Sequence, residues 1–163
     1  MSRWGAVILT VCLTLAQGPG IAVLSNGKWV PDLWMSAVII SALAFEKRTA
    51  VFLAAAGGLI QDILTGNFFG LHFFPYLVIV LIVSAAVKVR YNRRWLVSVL
   101  TVAGGSAVYV FLSCGIILLS GAKLSLFSYF LYRGLPQILL NTAAAMVLHS
   151  VIWNMKRKWE PKW

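Results

Sequence analysis

Acids, histidines and cysteines are all scarce in this chain. Its 163 residues include four Asp or Glu, two His and two Cys. Acid, base, nucleophile or metal catalysis needs several such groups brought together. The sequence has no Ser–His pair at a motif spacing, no paired carboxylates and no Cys/His set with ligand spacing. The expectation is a protein with no catalytic residue, no cofactor and no metal. Cys12 and Cys114 each stand in an apolar run and read as buried, inert thiols.

Charge is scarce as well. Charged residues make up 11% of the chain and hydrophobic residues 61%, with a mean hydropathy of +0.88. A soluble domain of this length needs far more polar surface to cover its core. A lipid-facing exterior removes that need. The chain therefore reads as an all-α polytopic membrane protein, a single integral membrane domain over 1–163. Apolar segments fall at 4–24, 29–45, 49–64, 71–87, 95–120 and 126–153, which predicts six transmembrane helices. The second and third are near the lower limit for crossing a bilayer, where a span takes about 20 residues. Pro31 and Asp32 mark the start of the second, because proline suits a first helical turn.

The shortage of acids leaves a net charge of +10. A soluble protein with that charge would suggest a nucleic-acid partner. Here the cations sit in short clusters between apolar runs, so they read as topology signals beside membrane lipid, with no nucleic acid involved. With the N-terminus inside, the inner segments hold eleven Lys or Arg and the outer ones hold Lys28, Lys123 and Arg133. Both termini are expected in the cytoplasm. Trp95, Trp153, Trp159, Trp163 and Tyr91 then form an inner aromatic belt, with Trp29 and Trp34 near the outer boundary.

Small residues mark where helix backbones can approach, within the chain or against another chain's helix. They occur at 54–58 with Gly57 and Gly58, at 104–107 with Gly104 and Gly105, and at 143–145 with Ala144. Asn141 and Gln137 read as interhelical hydrogen-bonding groups, and His149 as an interfacial polar residue.

The stretch GGLIQDILTGNFFGLH, 57–72, places Gln61 and Asp62 just before a tight turn on the outer side. Gly66 and Gly70 allow backbone angles that other residues avoid. Asn67 can bond its own backbone, and Phe68 and Phe69 are expected to fold back onto apolar surface. Asp62 reads as the one acid inside a span, where a carboxylate is costly unless it is paired. Its expected partners are the turn amides of Gly66 and Asn67, or Arg133, with Gln61 and His72 at similar depth. The segment 123–133 fits either a helix lying flat on the outer surface or the first turns of the last span.

Three stretches carry a family resemblance. Gly58-Leu59-Ile60-Gln61-Asp62-Ile63-Leu64-Thr65-Gly66, followed by Gly70-Leu71-His72, resembles the signature of the MreD family. Pro31-Asp32-Leu33 is similar to that family's element opening the second span, and Pro136 to Asn141 to its element in the last. The phenylalanines of the turn depart from the commoner pattern. The resemblance implies a non-catalytic scaffold of the bacterial cell-elongation machinery in the plasma membrane, needed for rod shape and lateral peptidoglycan synthesis. Implied partners are an MreC-like single-span protein and, indirectly, an MreB-like cytoskeleton, a SEDS-type glycosyltransferase and a class B penicillin-binding transpeptidase. The implied fold is like that of the substrate-binding components of energy-coupling-factor transporters. The alternative is a small-molecule-binding component of a transporter, with an outer cavity over Asp62, His72 and Arg133.

The cation asymmetry predicts that cysteines placed at Lys28 or Lys123 react with an impermeant thiol reagent added outside intact cells, while cysteines at Asn92 or Glu160 do not. External labelling at Asn92 would reverse the topology.

Overall fold

The structure, a computed structural model, describes residues 3–17, 30–66, 69–86 and 94–159. Among these the chain is all helical, with no strand. The helices are α1 (Arg3–Leu15), α2 (Leu33–Ala44), α3 (Lys47–Thr65), α4 (Phe73–Ala86) and α5 (Trp95–Leu119). The last, α6, begins at Leu126–Tyr129, passes through one π turn at Phe130–Gly134 and continues over Leu135–Trp159. The segment 123–133 thus leads straight into α6. Residues 18–24 of the first apolar segment, Lys28, Trp29, Asn67, Phe68 and the cluster at 88–93 lie outside the described residues.

The bundle is organised around α2. Its sequence is apolar on every side, and a helix of that kind belongs inside a protein or a membrane. Eleven of its 12 residues are buried. It packs against α3, α4, α5 and α6, and at one edge against α1. Asp32 caps its start by accepting the Met35 N–H at 2.9 Å, so Asp32 lies just outside the helix rather than within it. At about 1.5 Å per residue, 12 residues reach roughly 18 Å, well short of a hydrocarbon core of about 30 Å. Its C-terminal end meets the charged turn Glu46-Lys47-Arg48, so its N-terminal end stops at depth.

The helix α4 is also shorter than the apolar run that contains it, with 14 residues. Among the described residues, two helices are long and apolar enough to cross a membrane by themselves, Trp95–Leu119 and the continuous stretch Leu126–Arg157. Large apolar side chains such as Phe111 (79% exposed) and Leu119 (89%) cover the exterior, a surface suited to lipid and not to water. Cys12 is part of that exposed surface, contrary to the expectation of a buried thiol, while Cys114 is buried.

The small residues divide into two groups. A Cβ on Gly57 would run into the Trp34 ring of α2. On Gly58 it would lie 2.6 Å from the Phe73 Cα, so the start of α4 presses directly on α3. On Gly105 it would sit 2.5 Å from Ile39 Cδ1 and 3.3 Å from Ile79 Cγ2. These three serve internal contacts. A Cβ on Gly104 would meet nothing within 4 Å, and this glycine faces outward. Ala144 is half-buried on α6.

Gly105→Leu is expected to overpack the α2–α5 contact and cost about 1–3 kcal/mol or more, whereas Gly104→Leu should stay within about 0.5 kcal/mol of the parent. Thermal unfolding in detergent, followed by tryptophan fluorescence, separates the two. Equal losses would contradict the outward placement of Gly104.

Candidate functional site

The end of α3 and the start of α4 are held together by one side chain. Gly66 terminates α3 in the left-handed conformation (φ 63°), and its N–H returns to the Asp62 main-chain carbonyl at 3.1 Å. The chain reverses through Gly70 (φ 98°), a backbone angle that glycine adopts without strain. The Asp62 carboxylate, fully enclosed, then reaches across to the beginning of α4. Its Oδ2 accepts the N–H groups of Gly70 at 2.7 Å and Phe73 at 3.3 Å. Its Oδ1 accepts the His72 N–H at 2.8 Å and lies 3.0 Å from His72 Nδ1. The first N–H groups of a helix have no partner within it and carry its positive dipole end, so a carboxylate is favoured there.

These partners differ from the expected ones. The Gly66 N–H is spent on a carbonyl, Asn67 lies outside the described residues, and Arg133 is exposed on α6 with no ion pair to Asp62. The reason is the close approach at Gly58, which presses the first turn of α4 against α3 and brings its amides within reach. Four donors fill a carboxylate that offers about four acceptor directions. Gln61 is buried beside it, and its Oε1 has no hydrogen-bond partner among the described residues. Phe69 is 76% exposed rather than folded back.

A second enclosed carboxylate, Asp32, was not expected as part of a site, since Asp62 read as the one acid inside a span. Beyond capping α2, it accepts the Tyr76 hydroxyl, which lies 2.6 Å from both Oδ1 and Oδ2. That distance is at the short end of the range for O–H···O bonds. The Asp32 N–H donates to Asn141 Oδ1 at 2.6 Å, and Asn141 Nδ2 donates to Ser106 Oγ at 3.2 Å. The Ser36 hydroxyl closes on the Asp32 carbonyl at 3.0 Å. From just beyond α1, Gln17 Nε2 donates to the Pro31 carbonyl at 3.1 Å, and its Oε1 accepts the Leu33 N–H at 2.7 Å. The irregular backbone entering α2 is thus supplied with partners by two amide side chains, as it must be where water is excluded. No signal in the sequence around Gln17 marks it for this role.

The two carboxylates belong to one network. Tyr76 stands one turn after His72 on α4, with their rings edge-on at 6.0 Å. Tyr109 of α5 lies 6.0 Å from the His72 ring and 5.9 Å from the Tyr76 ring. Hydrogen bonds tie Asp62 to His72, and Tyr76 to Asp32, Asn141 and Ser106. The edge-on His72–Tyr76 ring contact joins the two sets. Together they touch α2 through α6, with Gln17 tying in the segment just after α1. His149 belongs elsewhere. It is buried, with Ser98 Oγ at 2.8 Å from its Nδ1 and the Trp153 ring at 5.9 Å. Among the described residues no three His, Cys, Asp or Glu side chains gather as a metal site.

The network joins the stretches around Asp32, Asp62 and Asn141, which lie far apart in the chain. The rod shape-determining protein MreD family matches residues 2–158. The chain belongs to the MreD family. No curated protein and no solved structure matches it. As an MreD protein it is a membrane component of bacterial rod-shape determination. In chemical terms its polar network fixes helices relative to one another. The acceptors of Asp62 are consumed by the chain itself, and Asp32 is engaged by a hydroxyl and an amide.

Asp62→Leu leaves three amides unpaired at a cost of about 1–3 kcal/mol each, so it should destabilise MreD more than Asp62→Asn, which keeps one acceptor. Tyr76→Phe and Asp32→Asn should be non-additive by at least about 0.5 kcal/mol in a double-mutant cycle. Additive losses in unfolding experiments would mean that the Tyr76–Asp32 bond carries no coupling.

Proposed function

We propose that this MreD protein is a non-catalytic scaffold of the cell-elongation machinery. In this reading it supports rod shape and lateral peptidoglycan synthesis by binding an MreC-like single-span membrane protein. Through that partner it acts with an MreB-like cytoskeleton, a SEDS-type glycosyltransferase and a class B penicillin-binding transpeptidase. It crosses the plasma membrane six times with both termini in the cytoplasm, as the distribution of eleven inner and three outer cations favours.

The observation carrying this reading is the saturation of Asp62. A carrier needs polar groups with free bonding capacity facing a cavity. Here Asp62 is filled by Gly70, His72 and Phe73, and Arg133, the third group of the alternative ligand site, is exposed on α6. A frame whose helices are pinned by internal bonds is suited to presenting a fixed outer face. The proposed face for the partner helix is that of Gly104 on α5, with exposed Ala107 and Phe111 on the following turns.

Co-purification from native membranes should recover an MreC-like protein, and Gly104→Leu should reduce that recovery roughly tenfold, about 1.4 kcal/mol, with the fold intact. Recovery of no such partner, together with micromolar binding of a soluble ligand, would replace the scaffold by the transporter-component reading.

A further inference from the structure

The apolar length of the bundle differs between its two sides. On one side, α3 has 19 residues, of which the first two are Lys47 and Arg48. Less those cations, 49–65 reaches about 25 Å at 1.5 Å per residue. Its neighbour α4 has 14 residues, about 21 Å, and the next cation, Lys88, stands two positions after it. On the other side, α5 has 25 residues, about 37 Å, between Arg94 and Lys123. In α6 the stretch 134–155, between Arg133 and Lys156, reaches about 33 Å.

The short helices pack on each other, and so do the long ones. The difference is therefore between two faces of the molecule and not between scattered helices. Both short helices present apolar side chains outward. Phe52 and Ile63 of α3 and Phe74, Val78, Leu81 and Ile82 of α4 are exposed. Behind them lies α2, shorter still and enclosed by protein. Lipid against the α3–α4 face meets an apolar belt about 5–9 Å shorter than a hydrocarbon core of about 30 Å, and any helix tilt shortens the belt further. The α5–α6 face matches or exceeds that thickness.

We propose that the α3–α4 face is a lipid-sorting surface that holds a locally thinned bilayer and selects phospholipids with short acyl chains, while the α5–α6 face accepts chains of ordinary length. The cost of mismatch per ångström is small, but a deficit of this size sorts lipids around a protein. The occupant is the acyl chain itself, because the outward side chains at the middle of α4 are aliphatic and offer no site for a headgroup.

The test uses the full chain in vesicles containing equal amounts of dimyristoleoyl and dioleoyl phosphatidylcholine, either one brominated. A fluorophore is attached to Val78→Cys on α4 or Val108→Cys on α5, in a background with Cys12→Ser and Cys114→Ala. Both positions are exposed and near the middle of their helices. The brominated short-chain lipid should quench the Val78 probe at least about twofold more than the Val108 probe, as sorting by mismatch requires. Equal quenching, or long-chain preference at Val78, would overturn the proposal. Because replacement of the buried Cys114 can disturb folding, the same two probes are repeated in a background that keeps Cys114, whose burial shields it from the label. Loss of the Val78–Val108 difference in that background would also overturn the proposal.

Discussion

A peptide N–H or C=O inside hydrocarbon has no water to turn to, and the architecture of this MreD protein follows from that constraint. Regular helices meet it automatically. Among the described residues the chain departs from helix at the entry to α2 and at the turn before α4, and at each a side chain from elsewhere supplies what the backbone lacks. Gln17 and Asn141 serve residues 31–33, and Asp62 serves residues 70–73. Asp32, Asp62, Gln17 and Asn141, which look out of place in an apolar sequence, serve that irregular backbone, while others such as Ser98 and His149 pair between regular helices.

That division of labour also explains how α2 can be so short. A helix exposed to lipid at both ends must be long enough to deliver those ends to water. One enclosed by other helices need only find partners for its ends within the protein. Asp32 does so through Met35, Tyr76 and Asn141, and the surrounding helices present apolar side chains to the rest. The core of the molecule is a protein-lined interior, with lipid relegated to the outer helices. A fixed polar frame inside and an apolar skin outside fit a component that works by being held and by holding others.

Much of this was legible in the sequence where the signal is local. Six helices lie in the six apolar runs, Asp32 stands where a cap belongs, and Gly66 and Gly70 fall at the turn with positive φ. The sequence also marked Asp62 as needing donors and turn amides as candidates. It could not say which amides, because that depends on how closely Gly58 lets α4 approach α3. The pairing of Asp32 with Tyr76 was out of reach for the same reason. Nothing near either residue encodes a contact across 44 positions. Arg133 was matched to Asp62 on depth alone, and depth says nothing about which way a side chain points around its helix. Segments 29–45 and 71–87 begin before their helices do, at Leu33 and Phe73, because Asp32 caps the first from outside and a turn at 69–72 precedes the second.

The bond between Asp32 and Asn141 joins residues 109 positions apart. At a synthesis rate of about 5–20 residues per second, Asp32 leaves the ribosome roughly 5–20 s before its partner exists. Tyr76, 44 positions after Asp32, is made within about 2–9 s, so for the rest of the interval the carboxylate can have its hydroxyl while the Asp32 N–H still lacks Asn141. The polar frame around the entry to α2 therefore has its full set of partners only once α6 has been made.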